Sequence, residues 1–430
     1  MKCKFNYSLF TFLLPIFLLL FSSPLQSKEK QPKKPKQEKL STLEKNAKTA
    51  IKEQKNQEAA KNALLGALTR PELKAQQKAD IYFTAALLDE SLNSVENQKA
   101  YLTQPYDTAK FFNTLGDMFK QLRLCDSTDI IPDIKGRVNV RYQNKTHDLR
   151  LKHRRNIFGG GKYYLAKKDY VNAYTFFDLY CTNKGEETKG KGKEEADAFF
   201  PNSALWATLS AFQVDNYLGT IKHADAAIFY ADSATAAIVQ EYKVRSYAKL
   251  NNDSAWIAAL EQGIQDYPYH DYFFLQLADW YHGQRRFAEE NRMADMVIAS
   301  TGGKAIHYYA KSNSFLSQEN YEACIECADS AIALQQDFAD AYYNKGIAYL
   351  NMAVISHEMS EEVDVMSPQY AIDKKKTQEL YRKARPCMEM VRRLQPERQD
   401  RWASPLYRIY LNLNLGDEFV EIDRLLNPRI

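Results

Sequence analysis

AIVQEYKVRSYAKLNNDSAWIAALEQGIQDYPYH (237–270), DYFFLQLADWYHGQRRFAEENRMADMVIASTGGK (271–304) and AIHYYAKSNSFLSQENYEACIECADSAIALQQDF (305–338) lie in register at a spacing of 34 residues, and ADAYYNKGIAYL (339–350) opens a fourth copy. Position 8 of each unit is slim (Val244, Ala278, Ser312, Gly346) and position 11 aromatic (Tyr247, Tyr281, Phe315, Tyr349). A slim residue lets two helices approach and the ring beside it fills the remaining space, so each unit reads as helix, turn, helix. One such pair cannot bury its own apolar face. It has to stack on copies of itself, which predicts an all-α solenoid, a right-handed superhelix of antiparallel helix pairs with a long surface free for a ligand.

These units resemble tetratricopeptide repeats. That pattern wants bulky, small and aromatic residues at set positions, which 305–338 supplies as Tyr308, Ser312, Phe315, Tyr321, Cys324 and Ala331, and 237–270 as Tyr247, Gly263 and Pro268. Lys243, Lys311 and Lys345 depart from it at position 7, where Leu is usual, and Glu290 departs at the small position 20. The resemblance covers residues 155–430, and the layout is similar to that of exported Gram-negative repeat proteins. It implies a non-catalytic scaffold, periplasmic or secreted, that takes a protein or peptide partner and no cofactor. In this fold class positions 2, 5, 9 and 12 of the first helices line a concave groove, which picks out Glu241, Arg245, Tyr272, Leu275, Asp279, His282, Tyr309, Asn313, Tyr343 and Ile347 as its contact residues. The lysine clamp that some relatives use on chaperone tails is broken here, since Tyr309 stands where it has Lys. A glycan stacked on exposed rings is the alternative ligand for such a groove.

Outward from the repeats, the amino terminus reads as a targeting segment. Lys2 and Lys4 precede an uncharged apolar run from Leu9 to Phe21, interrupted by Pro15 and followed by Ser22, Ser23 and Ser27. Such a run rises only about 20 Å as a helix, short of a bilayer's hydrocarbon core. A cleaved signal peptide over 1–27 is expected, with no stable membrane anchor after cleavage and no lipid anchor, because the nearest cysteine, Cys3, precedes the run. The formal charge of +4 is local: Lys2 and Lys4 carry two charges and 28–39, six Lys against two Glu, carries four, so residues 40–430 are net −2. A near-neutral body gives no reason to expect nucleic acid as a partner. The Lys/Pro run 28–39 reads as an extended tether.

Divergent helix pairs are expected over 40–124, with Phe111, Phe112, Leu115 and Phe119 as one buried stripe. Residues 125–154 read as a basic insertion whose alternating RVNVRYQ (137–143) suggests a loop or short hairpin. The solenoid then runs over 155–430, interrupted by a charged, glycine-bearing stretch at 183–195 and by an insertion at 355–376. It closes with a cap over 399–430, a helix pair at 399–415 and 417–427 parted by Gly416, and Pro386 is expected to kink the helix that holds it.

Candidate chemistry is thin. Cys324 and Cys327 form a C-x-x-C, but Cys324 falls in a slot that demands a small residue and no second cysteine or histidine pair stands nearby, so packing is the expected role. Cys125 and Cys181 could bridge in an oxidising compartment. Gly159, Gly160, Gly161 and Lys162 mimic a phosphate-cradling loop, yet Asn156 and Tyr163 break the P-loop pattern. Arg137, Arg141, Lys145, Arg150, Lys152, Arg154 and Arg155 gather beside His147 and His153, which reads either as an anion patch or as a solvated insertion. Neither H-E-x-x-H nor G-x-S-x-G occurs, and no metal or catalytic set is assigned.

Overall fold

The computed structural model describes residues 38–183, 197–361 and 363–427. The expected signal peptide, nearly all of the tether and most of the stretch 183–195 lie outside these residues. The described chain is helical throughout, with no strand. Its α-helices come in pairs: α1 (Leu40–Glu53) with α2 (Gln57–Gly66), α3 (Ala75–Tyr101) with α4 (Thr108–Asp129), α5 (Gln143–Ala166) with α6 (Tyr170–Thr182), and α7 (Phe200–Gln213) with α8 (Tyr217–Tyr230). Next come α9 (Ser233–Lys249) with α10 (Asp253–Asp266), α11 (Asp271–Gly283) with α12 (Phe287–Thr301), α13 (Ala305–Ser317) with α14 (Tyr321–Leu334), α15 (Ala339–Glu361) with α16 (Pro368–Leu394), and α17 (Gln399–Asn412) with α18 (Gly416–Leu426).

The turn inside each pair is written at two positions. Asn251, Arg285 and Glu319, at position 15 of the three units, adopt φ of 52°, 56° and 60°. This left-handed residue reverses the chain, and the next one starts the second helix. Asn252 accepts a hydrogen bond from the Ala255 N–H, and Asn320 from that of Ala323. Asp169 and Asn216 cap α6 and α8 in the same way after left-handed Lys168 and Asp215. Each such cap stabilises its helix by about 1 kcal/mol. Arg286 stands at the cap position of α12 and makes no such bond.

Each helix packs chiefly on its neighbours in sequence, so the buried apolar residues form successive clusters along the stack. Leu115, Met118, Phe119, Ile157 and Phe177 fill the largest, between α3 and α9. Burial of each contributes about 1.5–3 kcal/mol. Gly161 sits in α5 where an added Cβ would lie 2.5 Å from the Phe177 ring, and Gly160 meets Phe176 in the same way. These glycines let α6 close on α5.

The lysines at position 7 cross repeat boundaries. Lys243 pairs with Asp225 of α8 at 2.6 Å, Lys311 with Asp295 of α12 at 2.5 Å, and Lys345 with Asp329 of α14. Asp295 and Asp329 both hold position 25 of the preceding unit. What the resemblance marks as lysine departures is thus a ladder of ion pairs tying α9, α13 and α15 each to the second helix before it.

Several expectations need correction. Of the expected insertion 125–154, residues 125–129 end α4 and 143–154 open α5, leaving an irregular loop at 130–142 with no hairpin. Its alternating segment finds no strand to pair with. Asp129 instead accepts from the Arg141 and Tyr142 N–H groups, and Arg141 reaches Asp80 at 2.8 Å. The insertion at 355–376 is mostly helical, a lengthening of α15 and α16 with a short turn between them. Gly416 opens α18 instead of separating it from α17, whereas Pro386 lies inside α16. The first exact unit has its first helix starting at Ser233, ahead of residue 237. No disulfide joins Cys125 to Cys181.

Candidate functional site

Eight of the ten groove positions fall into three groups on the first helices α9, α11, α13 and α15. In the first, Arg245 lies 3.4 Å from Glu241 and spreads its guanidinium over the Tyr272 ring at 6.0 Å. His270, in the turn before α11, comes within 3.1 Å of the same Glu241 carboxylate. In the second, His282 joins three helices: its Nδ1 is 3.1 Å from Glu290 of α12, and its Nε2 is 3.2 Å from Ser317 and 3.5 Å from Asn313 of α13. Exposed Asp279 acts electrostatically on His282 and Glu290 and, across the unit boundary, on Tyr309. In the third, Tyr309 packs on Phe338 at 5.2 Å, and Arg401 of α17 lies 4.3 Å over Tyr343 while pairing with Asp340.

Burial divides these residues. Arg245 and Asp279 are exposed, whereas Leu275 and Tyr272 pack against the core around α11, and Ile347 and Tyr343 against that around α15. The rings thus serve as half-buried walls. Sequence reasoning missed Arg401, Asp340, His270 and Ser317, which complete the three groups. Arg401 lies on another helix pair from Tyr343, and no local spacing points to it.

Protonation at the second group is unusual. Burial, with Asp279 nearby, pushes the Glu290 carboxyl up to about 8, and burial lowers His282 below the ordinary histidine range. At neutral pH both are mainly uncharged, which lets a carboxylic acid sit at a position that ordinarily holds a small residue.

The cysteines show no sign of activation. Burial raises Cys125 to about 12 and Cys324 and Cys387 to about 11, so each stays a thiol at neutral pH. Cys324 lies 3.5 Å from the Ser312 hydroxyl and 3.8 Å from the Asn344 carbonyl, a buried polar knot joining α13, α14 and α15. Among the described residues no group of three His, Cys, Asp or Glu side chains could hold a metal ion. Most of the basic run is ion-paired within the chain: Arg150 with Asp126 and Arg154 with Asp197 half-buried, Arg137 with Asp133 and Lys152 with Glu90 at the surface.

The stacking is asymmetric. First helices pack directly on the next first helix at α1–α3, α5–α7, α7–α9, α13–α15 and α15–α17, though not at α3–α5, α9–α11 or α11–α13 to the same degree, and among the described residues no two second helices pack comparably. Clefts open between second helices instead, at α2–α4, α4–α6 and α10–α12.

No family model matches the chain, and no curated protein does. Among solved structures it is similar to the C-terminal part of a TPR repeat-containing protein from Cytophaga hutchinsonii (13% identity over 64% of this chain and 96% of that one, TM-score 0.41). It is similar also to a TPR repeats protein from Bacteroides fragilis (18% identity, 61% and 96%, TM-score 0.31). A third is the TPR2AB domain of yeast Sti1 in its pHSP90 complex (11% identity, 61% and 98%, TM-score 0.24).

Proposed function

The chain being an α-solenoid of tetratricopeptide-type helix pairs, we propose that it is an exported, non-catalytic scaffold that holds a protein or peptide partner along the inner face of its first helices. The asymmetry of stacking carries this reading. Contact between first helices at α7–α9, α13–α15 and α15–α17, with a cleft between second helices at α10–α12, favours a curve with the first helices inside, and on this reading Glu241, Arg245, Asp279, His282, Asn313, Tyr309 and Tyr343 line its hollow. The strip alternates acid, base, amide and ring, a mixture suited to a peptide backbone and its side chains.

A glycan is the weaker candidate. Stacking needs open ring faces, and guanidinium groups already lie over Tyr272 and Tyr343. Nucleic acid is disfavoured too, because phosphates require free cations and most of the 137–155 run is ion-paired internally. No described helix is long and apolar enough to cross a membrane. Export rests on the leader-like residues 1–27.

A peptide-display selection against the whole protein is expected to return binders that are lost on Asp279→Arg, a change at an exposed position. Affinity electrophoresis through cell-wall or plant polysaccharide is expected to leave mobility unchanged. Retardation by polysaccharide with no peptide enriched would replace this reading with the glycan one.

A further inference from the structure

The unit 271–304 breaks the lysine ladder. Its position 7 is Leu277, fully buried in the core, so Glu261, which holds position 25 of the preceding unit as Asp295 and Asp329 do of theirs, faces no lysine. Among the described residues Glu261 has no ion pair and accepts only from the Tyr281 hydroxyl at 3.3 Å. A cleft of about 570 Å³ opens beside it between α10 and α12, walled by Ile264, Leu277, Met293 and Met296.

The neighbouring units show what occupies the equivalent space. Lys311 runs between α12 and α14 close enough for its charge to act on the Cys327 thiol, and Lys345 acts likewise on Cys387 of α16. Their side chains are only 18% and 21% exposed, stems covered and ammonium groups on Asp295 and Asp329. Met293 holds the place in its unit that Cys327 holds in the next, and Glu261 the place of Asp295. The cleft thus keeps the acid and the covered channel and lacks the cation.

We propose that the α10–α12 cleft is a second binding site, on the opposite side from the first-helix face, that receives a lysine side chain of a partner protein, its ammonium on Glu261 and its methylenes along Ile264, Leu277 and Met293. Charge supports this occupant. Arg286 at the rim is spent on Glu289 at 2.8 Å and on the Tyr281 ring at 4.9 Å. Exposed Arg292 is left for a backbone carbonyl or carboxylate next to that lysine. The free volume exceeds one side chain, so the flanking peptide fits as well.

The test is a methyl chemical-shift titration of the whole protein carrying ¹³C-methyl methionine, with N-acetyl-lysine N-methylamide as the probe. The Met293 and Met296 methyls, assigned from Met293→Leu and Met296→Leu, are expected to shift and saturate. Glu261→Gln should weaken the response about tenfold or more, as loss of a charge-assisted contact does. Leu277→Lys, filling the channel from within, should abolish it; should that variant not fold, Glu261→Gln still decides the point. N-acetyl-norleucine N-methylamide, with the stem and no ammonium, should do little. The proposal is overturned by no shift with the lysine probe, by an equal shift with norleucine, by an undiminished response in Glu261→Gln, or by a response confined to N-acetyl-glutamate N-methylamide acting at Arg292.

Discussion

Gly161→Leu is expected to destabilise the α5–α6 unit by about 3 kcal/mol, at or above the usual cost of overpacking. The added Cβ alone would stand 2.5–2.7 Å from three atoms of the Phe177 ring, and Phe177 is fully buried in the largest apolar cluster. A rigid ring held between Phe158 and Trp206 in that cluster cannot swing aside, so α6 has to move off α5. Gly346→Leu gives a useful contrast. There the Cβ would run into the Met388 thioether, a flexible chain that can adopt another rotamer, so the expected loss is smaller, about 1–2 kcal/mol. Because stability in a solenoid is shared between neighbours, each change should split off or lower the melting of its own part of the stack. Circular dichroism melting with both midpoints unchanged, or with Gly346→Leu the more damaging, would contradict the packing described.

The second large effect depends on pH. The Glu290 carboxyl titrates at about 8 in the folded chain against 4.5 for an ordinary glutamate, so folding favours its protonated form. A folded value raised above the unfolded one gives stability that is fully present below about pH 4.5 and is lost as pH climbs towards about 8. Each tenfold change in a protonation equilibrium corresponds to about 1.4 kcal/mol, which makes the total a few kcal/mol at most. Glu290→Gln keeps the shape and a donor for His282 while removing the charge. Urea unfolding should show wild type losing stability between about pH 5 and about pH 9, with Glu290→Gln losing much less and exceeding wild type at the higher pH. His282 acts oppositely, its lowered value favouring the neutral ring as pH falls, and that part should survive in the variant. Identical pH profiles for the two proteins would refute a buried protonated carboxyl.

The period of 34 residues carried the fold because it repeats the two decisions a helix pair needs, a slim residue at the contact and a turn residue followed by a cap. Asn252 and Asn320 are ordinary helix-capping residue types, whereas left-handed Glu319 carries no such local signal. What remained hidden was set by contacts far apart in sequence. RVNVRYQ alternates like a strand, but with Asp129 and Asp80 claiming its backbone and arginine it stays a loop. The insertion after Ala339 reads as a break because the repeat spacing is lost there, whereas both helices simply lengthen. At the candidate groove the first-helix positions were legible from spacing. Their pairing with Arg401, Ser317 and Glu290 was not, since those side chains come from other helices. The position-7 lysines were visible as anomalies, and only the acids across each boundary explain them.

The most direct test of the scaffold account is paired photocrosslinking in living cells, with a benzophenone amino acid placed at Asp279 on the first helix α11 or at Glu322 on the second helix α14, each exposed. The account predicts a discrete protein adduct, identifiable by mass spectrometry, from position 279 and little or none from position 322. A protein adduct from position 322 alone, or equal adducts from both, would contradict it.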